Sequence, residues 1–199
     1  GGIDPLSFLP SAFSSRGPTA DGRMKPNVSA LGQVVAAKNN GYTKVSGTSF
    51  AAPLVAGFAA CLWQYFPDWT NMELFQAIER SGHLHPFFDY AHGYGVPHSG
   101  LFFCNTERPP DLPTFEINRD NNAFVFSLRL RPGEKQNDCP GDFPFDDYLY
   151  YHVMDADGRL LSYHVVVPEG ATNIGSVTLL PGQSVMASYR GYATGALYE

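Results

Sequence analysis

The residues best suited to chemistry are Gly47, Thr48 and Ser49, which stand directly before an apolar run. From position 50 to position 63 there is no charged or amide side chain, and Ala and Leu dominate, so we expect a central helix that begins near Ser49. A serine there lies beside free backbone N–H groups and the positive end of the helix dipole. With a neighbouring base its hydroxyl is a nucleophile for acyl transfer, and its N–H helps to hold an oxyanion. The alternative is that Thr48 or Ser49 only caps the helix.

The helix behind this turn carries apolar residues without a clear period, so we expect it to be buried on all sides, with Cys61 as a small core residue. The run is too short to span a membrane. Pro53 is compatible with a helix that starts at Ser49, because the first-turn N–H groups have no partner to lose.

Three blocks of sequence resemble one family. The run from Gly47 to Gly57 (Gly-Thr-Ser-Phe-Ala-Ala-Pro-Leu-Val-Ala-Gly) resembles the nucleophile motif of the subtilisin-like serine peptidases, or subtilases, which usually has Met and His where Phe50 and Leu54 stand. The segment 13–28 is similar to the family's Phe-Ser-Ser-x-Gly-Pro…Lys-Pro-Asp-Val, with Asn27 in place of Asp. The weaker third block is Gly-Tyr-Gly-Val at 93–96. The resemblance ends at about Gly100.

This resemblance implies an α/β fold, a partial subtilisin-like doubly wound domain. It implies a serine endopeptidase of the secreted or cell-envelope kind, with Ser49 as nucleophile and with Gly47 and Thr48 in the substrate-binding turn beside the primary specificity pocket. In that family the triad Asp, the triad His and the oxyanion Asn all precede the Ser. Only 48 residues precede Ser49, and none is His. The candidates Asp4 and Asp21 do not stand in the family's triad-Asp motif, and Asn27, Asn39 and Asn40 do not stand in its oxyanion-Asn motif.

We therefore expect a fragment of a peptidase that is inactive alone, and whose partners are a peptide substrate and the missing N-terminal part of the same domain. A homodimer is another way to cover the helix faces that missing strands would leave exposed. An α/β-hydrolase order of Ser, Asp and His conflicts with Ala51, where that elbow motif has Gly. A degenerate pseudopeptidase with a binding or adhesion module remains the alternative.

The second half has a different character. Short alternating segments from Thr114 onward predict a small antiparallel β-sandwich, with hairpin turns at Asp155–Gly158 and at Pro181–Gly182. The expected domains are 1–103 for the catalytic part, 104–113 for a linker and 114–199 for the β-sandwich. Asp155 and Asp157 do not continue into a calcium-loop series, so a hairpin turn is favoured there.

The composition limits the classes of partner that the chain can bind. The net charge of −6 argues against nucleic acid as a partner. We expect no cofactor and no metal site in this chain, with calcium in the parent left open. Histidines 83, 85, 92 and 98 near Asp89 have no chelating spacing and are interpreted as surface-loop residues. A Cys104–Cys139 disulfide is left open, because the spacing alone does not decide it.

Overall fold

A computed structural model describes residues 1–103, 113–129, 148–168 and 173–199. The chain divides into two compact units, Gly1–Ser99 and Gly100–Glu199. The predicted limits 1–103, 104–113 and 114–199 stay a prediction. Most of the predicted linker, together with Cys104 and Cys139, lies outside the described residues. None of the described helices is both long and apolar enough to cross a lipid bilayer.

The first unit opens with two short parallel strands, and its other elements follow in chain order. These elements are β1 (Gly2–Ile3), β2 (Ala30–Leu31), β3 (Gln33–Lys38), β4 (Gly41–Ser46), α1 (Thr48–Tyr65) and α2 (Asn71–Arg80). The sequence predicts a strand over 3–9 that ends before Pro10, but the strand ends at Ile3. There the Asp4 carboxylate accepts the N–H groups of Leu6 and Ser7 and bends the chain into a turn.

Helix α1 is present where the sequence predicts it, but it is not buried on all sides. Apart from Phe50 in the first turn, its buried and half-buried residues form one stripe at helical spacing: Ala51, Val55, Phe58, Ala59 and Leu62. Leu54 and Trp63 are 46% and 48% exposed, and Cys61 is exposed rather than in the core. The reason is that the described neighbours of α1, which are β1, β2, β3 and α2, cover one side of it.

The start of α1 also differs from the prediction. The helix begins at Thr48 with Gly47 as its N-cap residue, so Pro53 is the sixth helical residue and lies beyond the first turn. A proline there cannot donate the N–H that would bond the carbonyl of Ser49. The first turn of α1 therefore lacks one of the hydrogen bonds that usually hold it.

Helix α2 begins with a capping box, which the Thr and Glu at positions 70 and 73 of the sequence predict. The hydroxyl of Thr70 accepts the N–H of Glu73, and the Glu73 carboxylate accepts the N–H of Thr70 at 2.7 Å. The sequence predicts a helix over 71–81 with Gly82 as C-cap, whereas the helix ends at Arg80 with Ser81 as its C-cap.

The buried side of α2 differs from the one that the sequence predicts. Helical spacing predicts a buried stripe of Met72, Phe75 and Ile78, and this is wrong: Leu74 and Ile78 are buried, whereas Met72 and Phe75 are 55% and 42% exposed.

Strands β3 and β4 form an antiparallel hairpin across Asn39 and Asn40, where the sequence predicts a turn over 38–41. The sequence also predicts a buried strand over 33–37, and this is wrong: Gln33, Val35 and Ala37 of β3 face solvent, and only Val34 and Ala36 between them are half-buried. The only parallel pairing among the described strands is β1 with β2. The doubly wound sheet stays a prediction.

The second unit contains a short helix and seven described strands. These are α3 (Gly100–Phe103), β5 (Phe115–Asp120), β6 (Ala123–Leu128), β7 (Leu149–Met154), β8 (Leu160–Val166), β9 (Asn173–Thr178), β10 (Ser184–Tyr189) and β11 (Tyr192–Leu197). All seven of these strands pair antiparallel, in a three-stranded sheet β5-β6-β9 and a four-stranded sheet β11-β10-β7-β8. Phe115 and Phe126 of one sheet share a buried cluster with Leu149 and Val185 of the other.

The turn chemistry of this unit is partly as predicted. Asp155 caps the β7–β8 hairpin, because its carboxylate accepts the N–H groups of Asp157 and Arg159. Pro181–Gly182 is not a hairpin turn: β9 pairs with β6, whereas β10 pairs with β7 and β11, so this connection passes from one sheet to the other. A hairpin that the sequence analysis missed joins β10 to β11 at Arg190 and Gly191, both with positive φ.

Candidate active site

Ser49 is the second residue of α1 and is exposed to solvent. Its N–H lies in the first turn, where backbone donors have no intrahelical partner four residues earlier. No acidic residue stands in that turn to offset the positive end of the helix dipole. Neither Thr48 nor Ser49 caps the helix with its side chain, since the N-cap is Gly47 and makes no side-chain bond. Ser49 is therefore an exposed serine beside the backbone N–H groups of a helix start, which is the arrangement that acyl transfer uses.

The turn before Ser49 is held by glycine backbone. Gly47 has φ 153 and ψ 151, a conformation that side-chain-bearing residues rarely adopt, and its N–H donates to the carbonyl of Gly32 at 2.8 Å. Gly32 in turn donates its own N–H to the carbonyl of Ile3. A Cβ on Gly32 would lie 2.9 Å from Phe13 Cζ and 3.2 Å from Gly2 Cα. Only glycine fits this contact without movement of its neighbours.

The segment 13–28 packs behind the turn instead of forming a loose surface loop. The buried hydroxyl of Ser14 accepts the N–H of Gly2 at 3.0 Å, and the ring of Phe13 lies against Gly2 and Gly32. At the other end of the segment, the Asn27 amide donates to Glu79 Oε1 on α2 at 2.7 Å, and the Asn27 carbonyl accepts the N–H of Tyr94. The segment thus ties the start of α1 to α2 and to the third sequence block.

The three sequence blocks are therefore neighbours in the fold. The subtilase family model matches residues 4–95, which include the first two blocks and the third up to Gly95. Residues 4–95 belong to the subtilase family.

Curated relatives agree with this assignment. Over 69 residues, or 32% of this chain, it is 51% identical to "C5a peptidase" of Streptococcus pyogenes serotype M18, and the match covers 6% of that protein. It is 33% identical over 87% of its length to "Subtilisin-like protease SBT3.12" of Arabidopsis thaliana, covering 26% of that protein. With "Subtilisin-like protease SBT3.6" of the same plant it shares 37% identity over 37% of its length, covering 11% of that relative. The chain thus spans about a quarter or less of the relatives it matches.

A subtilase nucleophile needs an imidazole base, and all six histidines of the chain lie in described residues. None is hydrogen-bonded to Ser49 in the part of the chain that the structure describes. His83 Nδ1 accepts the N–H of Val96 at 2.9 Å, and His164 contacts Ser162. Asp4 caps a local turn, and Asp21 accepts the Arg23 guanidinium and the Thr19 hydroxyl. The described residues thus give Ser49 a helix terminus but no bonded base.

One histidine corrects the sequence analysis. His92 is fully buried, not a surface-loop residue, and its Nδ1 lies 3.5 Å from Oδ1 of the equally buried Asp89. Asp89 Oδ1 also accepts the N–H groups of Ala91 and His92 at 2.5 and 3.1 Å. Burial acts to raise the pKa of Asp89, but the His92 ring and these N–H groups outweigh it, and the pKa lies below its ordinary value.

The sequence contains local signals for two features that were not predicted from it, which are the buried turn at Asp89 and the close contact at Gly32. An Asp followed four residues later by Gly93 is typical of a tight side-chain-capped turn, which Asp89 forms here. Gly32 directly follows the short apolar strand β2, four residues after the second block. Neither signal shows that the position is buried or which distant backbone group it contacts.

Proposed function

We propose that Ser49 is the nucleophile of a serine endopeptidase of the subtilase family and that this chain supplies only part of the catalytic site. The observation that carries the proposal is an exposed serine in the uncapped first turn of α1, inside the segment that matches the subtilase model. The peptidase names of the relatives support the same activity class.

The chemistry requires a base. Ser49 Oγ attacks the scissile carbonyl carbon while an imidazole takes its proton; that proton passes to the leaving amine, and an acyl-enzyme forms. Water then attacks the ester and releases Ser49. The N–H of Ser49 stabilises the oxyanion, and Gly47 and Thr48 border the pocket for the residue before the scissile bond. The imidazole, its orienting carboxylate and the side-chain oxyanion donor come from residues outside this chain.

The partner of the first unit follows from its surface. Leu54 and Trp63 on α1 and Val35 on β3 are 46%, 48% and 65% exposed. Leu54 and Trp63 are nine residues apart and lie on opposite sides of the helix. We propose that the remaining part of a subtilase catalytic domain, with its triad Asp and His, covers these exposed sides of α1. Light scattering coupled to size exclusion tests the alternative, because a dimer that dissociates with Trp63→Glu would make a second copy the occupant.

We further propose that the second unit is a β-sandwich accessory module and that the parent protein acts outside the cytoplasm, in the secreted or cell-envelope class. The shared buried cluster of the two sheets supports the sandwich. The location rests on family resemblance.

The decisive experiment uses a fluorophosphonate probe, which labels an activated serine. We expect the isolated chain to show no labelling at Ser49. A chimera in which residues 4–95 replace the matching segment of the Streptococcus pyogenes C5a peptidase should be labelled. The S49A chimera should lose the label, while S46A, which changes another exposed serine three residues away, should keep it.

Each result has a clear meaning. A folded chimera that the probe does not label at Ser49 would overturn the nucleophile assignment and favour the pseudopeptidase alternative. Labelling of Ser49 in the isolated chain at the rate of an intact peptidase would show that the chain holds its own base.

A further inference from the structure

The turn formed by residues 89–93 is closed twice. The backbones of Asp89 and Gly93 exchange hydrogen bonds at 2.6 and 3.0 Å. Inside this closure, Asp89 Oδ1 accepts the N–H groups of Ala91 and His92 and faces His92 Nδ1. Both side chains are fully buried. A buried carboxylate oxygen that accepts two backbone N–H groups, with the His92 ring 3.5 Å away, makes this turn rigid, because opening it leaves a charge in an apolar interior.

The rigid turn is connected to the backbone that carries Ser49. The carbonyl of His92 accepts the hydroxyl of the buried Ser29 at 2.9 Å, and the carbonyl of Gly95 accepts the Ser29 N–H at 2.9 Å. Three residues after Ser29, the carbonyl of Gly32 accepts the N–H of Gly47. The turn therefore fixes Ser29, and Gly32, three residues after Ser29, holds Gly47. Ser49 follows Gly47 by two residues.

We propose that Asp89 and His92 are positioning residues for the nucleophile turn and that they act on Gly47 and Ser49 through Ser29 and Gly32. When the turn opens, Ser29 loses both of its bonds to the segment 92–95, and β2 with Gly32 is free to shift against β1. The N-cap of α1 then moves with Gly32. The role of Ser49 in this statement rests on the proposed function, whereas the coupling from Asp89 to Gly47 does not depend on any activity.

We expect low pH to weaken the coupling between Asp89 and Gly47. The pKa of Asp89 lies below its ordinary value in the folded chain, so its stabilising contribution is present at neutral pH and is lost as pH falls through that lowered value, below about 4. The ionisable groups in and around the turn are the His92 and His83 rings, the Tyr90 and Tyr94 phenols, the terminal ammonium, and Lys25 and Glu79, both of which bond Asn27.

The experiment measures amide hydrogen exchange by NMR on the 199-residue chain, as protection factors. Asp89→Ala should speed exchange of the Gly47 and Ser29 N–H groups about tenfold or more, since it removes a charge-assisted anchor. Asp89→Asn keeps an acceptor for the turn and should have a smaller effect. Asp21→Asn, which changes an exposed carboxylate, is the matched control and should change neither amide.

A purely structural role predicts a different pattern. It would lower protection in the middle of α2 as much as at Gly47, and that result would overturn the proposal. So would unchanged protection of Gly47 in Asp89→Ala while the amide of Gly93 becomes exposed.

The pH profile gives a second readout that does not need the alanine variant to fold. His92→Phe keeps a ring of similar size but removes the partner that lowers the pKa of Asp89, so acid release of Gly47 should move to higher pH. Asp89→Asn should abolish that release. An acid profile of Gly47 that is the same in wild type, His92→Phe and Asp89→Asn would refute the coupling. A chain that passes these tests while the Ser49 chimera stays unlabelled would retain the coupling and lose only the proposed function.

Discussion

Asn27 stands where subtilases usually have Asp, and the structure gives a reason for the exchange. The Asn27 side-chain N–H donates to Glu79 Oε1 at 2.7 Å, while the side-chain oxygen Oδ1 of Asn27 accepts an N–H of the Lys25 ammonium. Asn27 and Glu79 are both half-buried. An aspartate at position 27 would replace the donor with a second carboxylate facing Glu79. We therefore predict that the family's usual residue destabilises this chain.

Two effects set how much stability Asn27→Asp should lose. A hydrogen bond to a charged group contributes about 1.5–3 kcal/mol. Two like charges about 4 Å apart at an effective dielectric constant near 20 repel by up to about 4 kcal/mol before they relax. Lys25 offsets part of that repulsion. We expect Asn27→Asp to lower the free energy of unfolding at pH 7 by about 2–4 kcal/mol.

Urea unfolding followed by tryptophan fluorescence measures this directly, because Trp63 and Trp69 are the only tryptophans and both lie in the first unit. The repulsion raises the pKa of the carboxyl pair in the folded state of Asn27→Asp, so the loss should grow as pH rises and shrink toward pH 4. Adding Glu79→Gln should restore stability, since the glutamine amide can donate to the introduced carboxylate.

Asn39→Asp is the matched control, because Asn39 lies in the exposed hairpin turn. The reasoning fails if Asn27→Asp is as stable as wild type at pH 7, or if Glu79→Gln does not rescue it.

The other predictions concern Gly32, which bonds the turn before α1, and Thr70, which caps α2. Gly32→Ala should cost about 1–3 kcal/mol in the same urea assay, since its Cβ would lie 2.9 Å from Phe13 Cζ; adding Phe13→Leu should recover part of this, and no loss would contradict the close approach. Thr70→Ala should cost about 1 kcal/mol through loss of the α2 cap, with Thr70→Ser as control. The N–H and hydroxyl of Thr70 hold the pKa of Glu73 below its ordinary value. Alanine keeps that N–H and removes the hydroxyl, so only the hydroxyl's part of the difference should fade as pH falls through the lowered value; a pH-independent difference would argue against the capping box.

The local pattern of the sequence was sufficient for several elements. It predicted α1 from the Ala-rich run and α2 from the capping box at Thr70, because each depends on residues within one or two helical turns. It also predicted the Asp155 hairpin. The family followed from three short blocks whose residue types and order are specific.

Burial and partner choice required the tertiary structure. Cys61 and Leu54 are as apolar as Ala51 and Leu62, and only the position of β1, β2 and α2 decides which of them face inward. Pro181–Gly182 has the composition of a hairpin turn, yet its flanking strands pair in different sheets, since strand pairing depends on partners distant in sequence.

The same division holds at the candidate site. The sequence by itself determined that Ser49 stands at a helix start and that no histidine precedes it. Only the tertiary structure decided that Gly32 anchors Gly47 and that Asp89 and His92 are buried together behind Ser29. The physical reason is that a helix start is set by neighbouring residues, whereas these contacts join segments tens of residues apart, whose approach depends on how the whole unit packs.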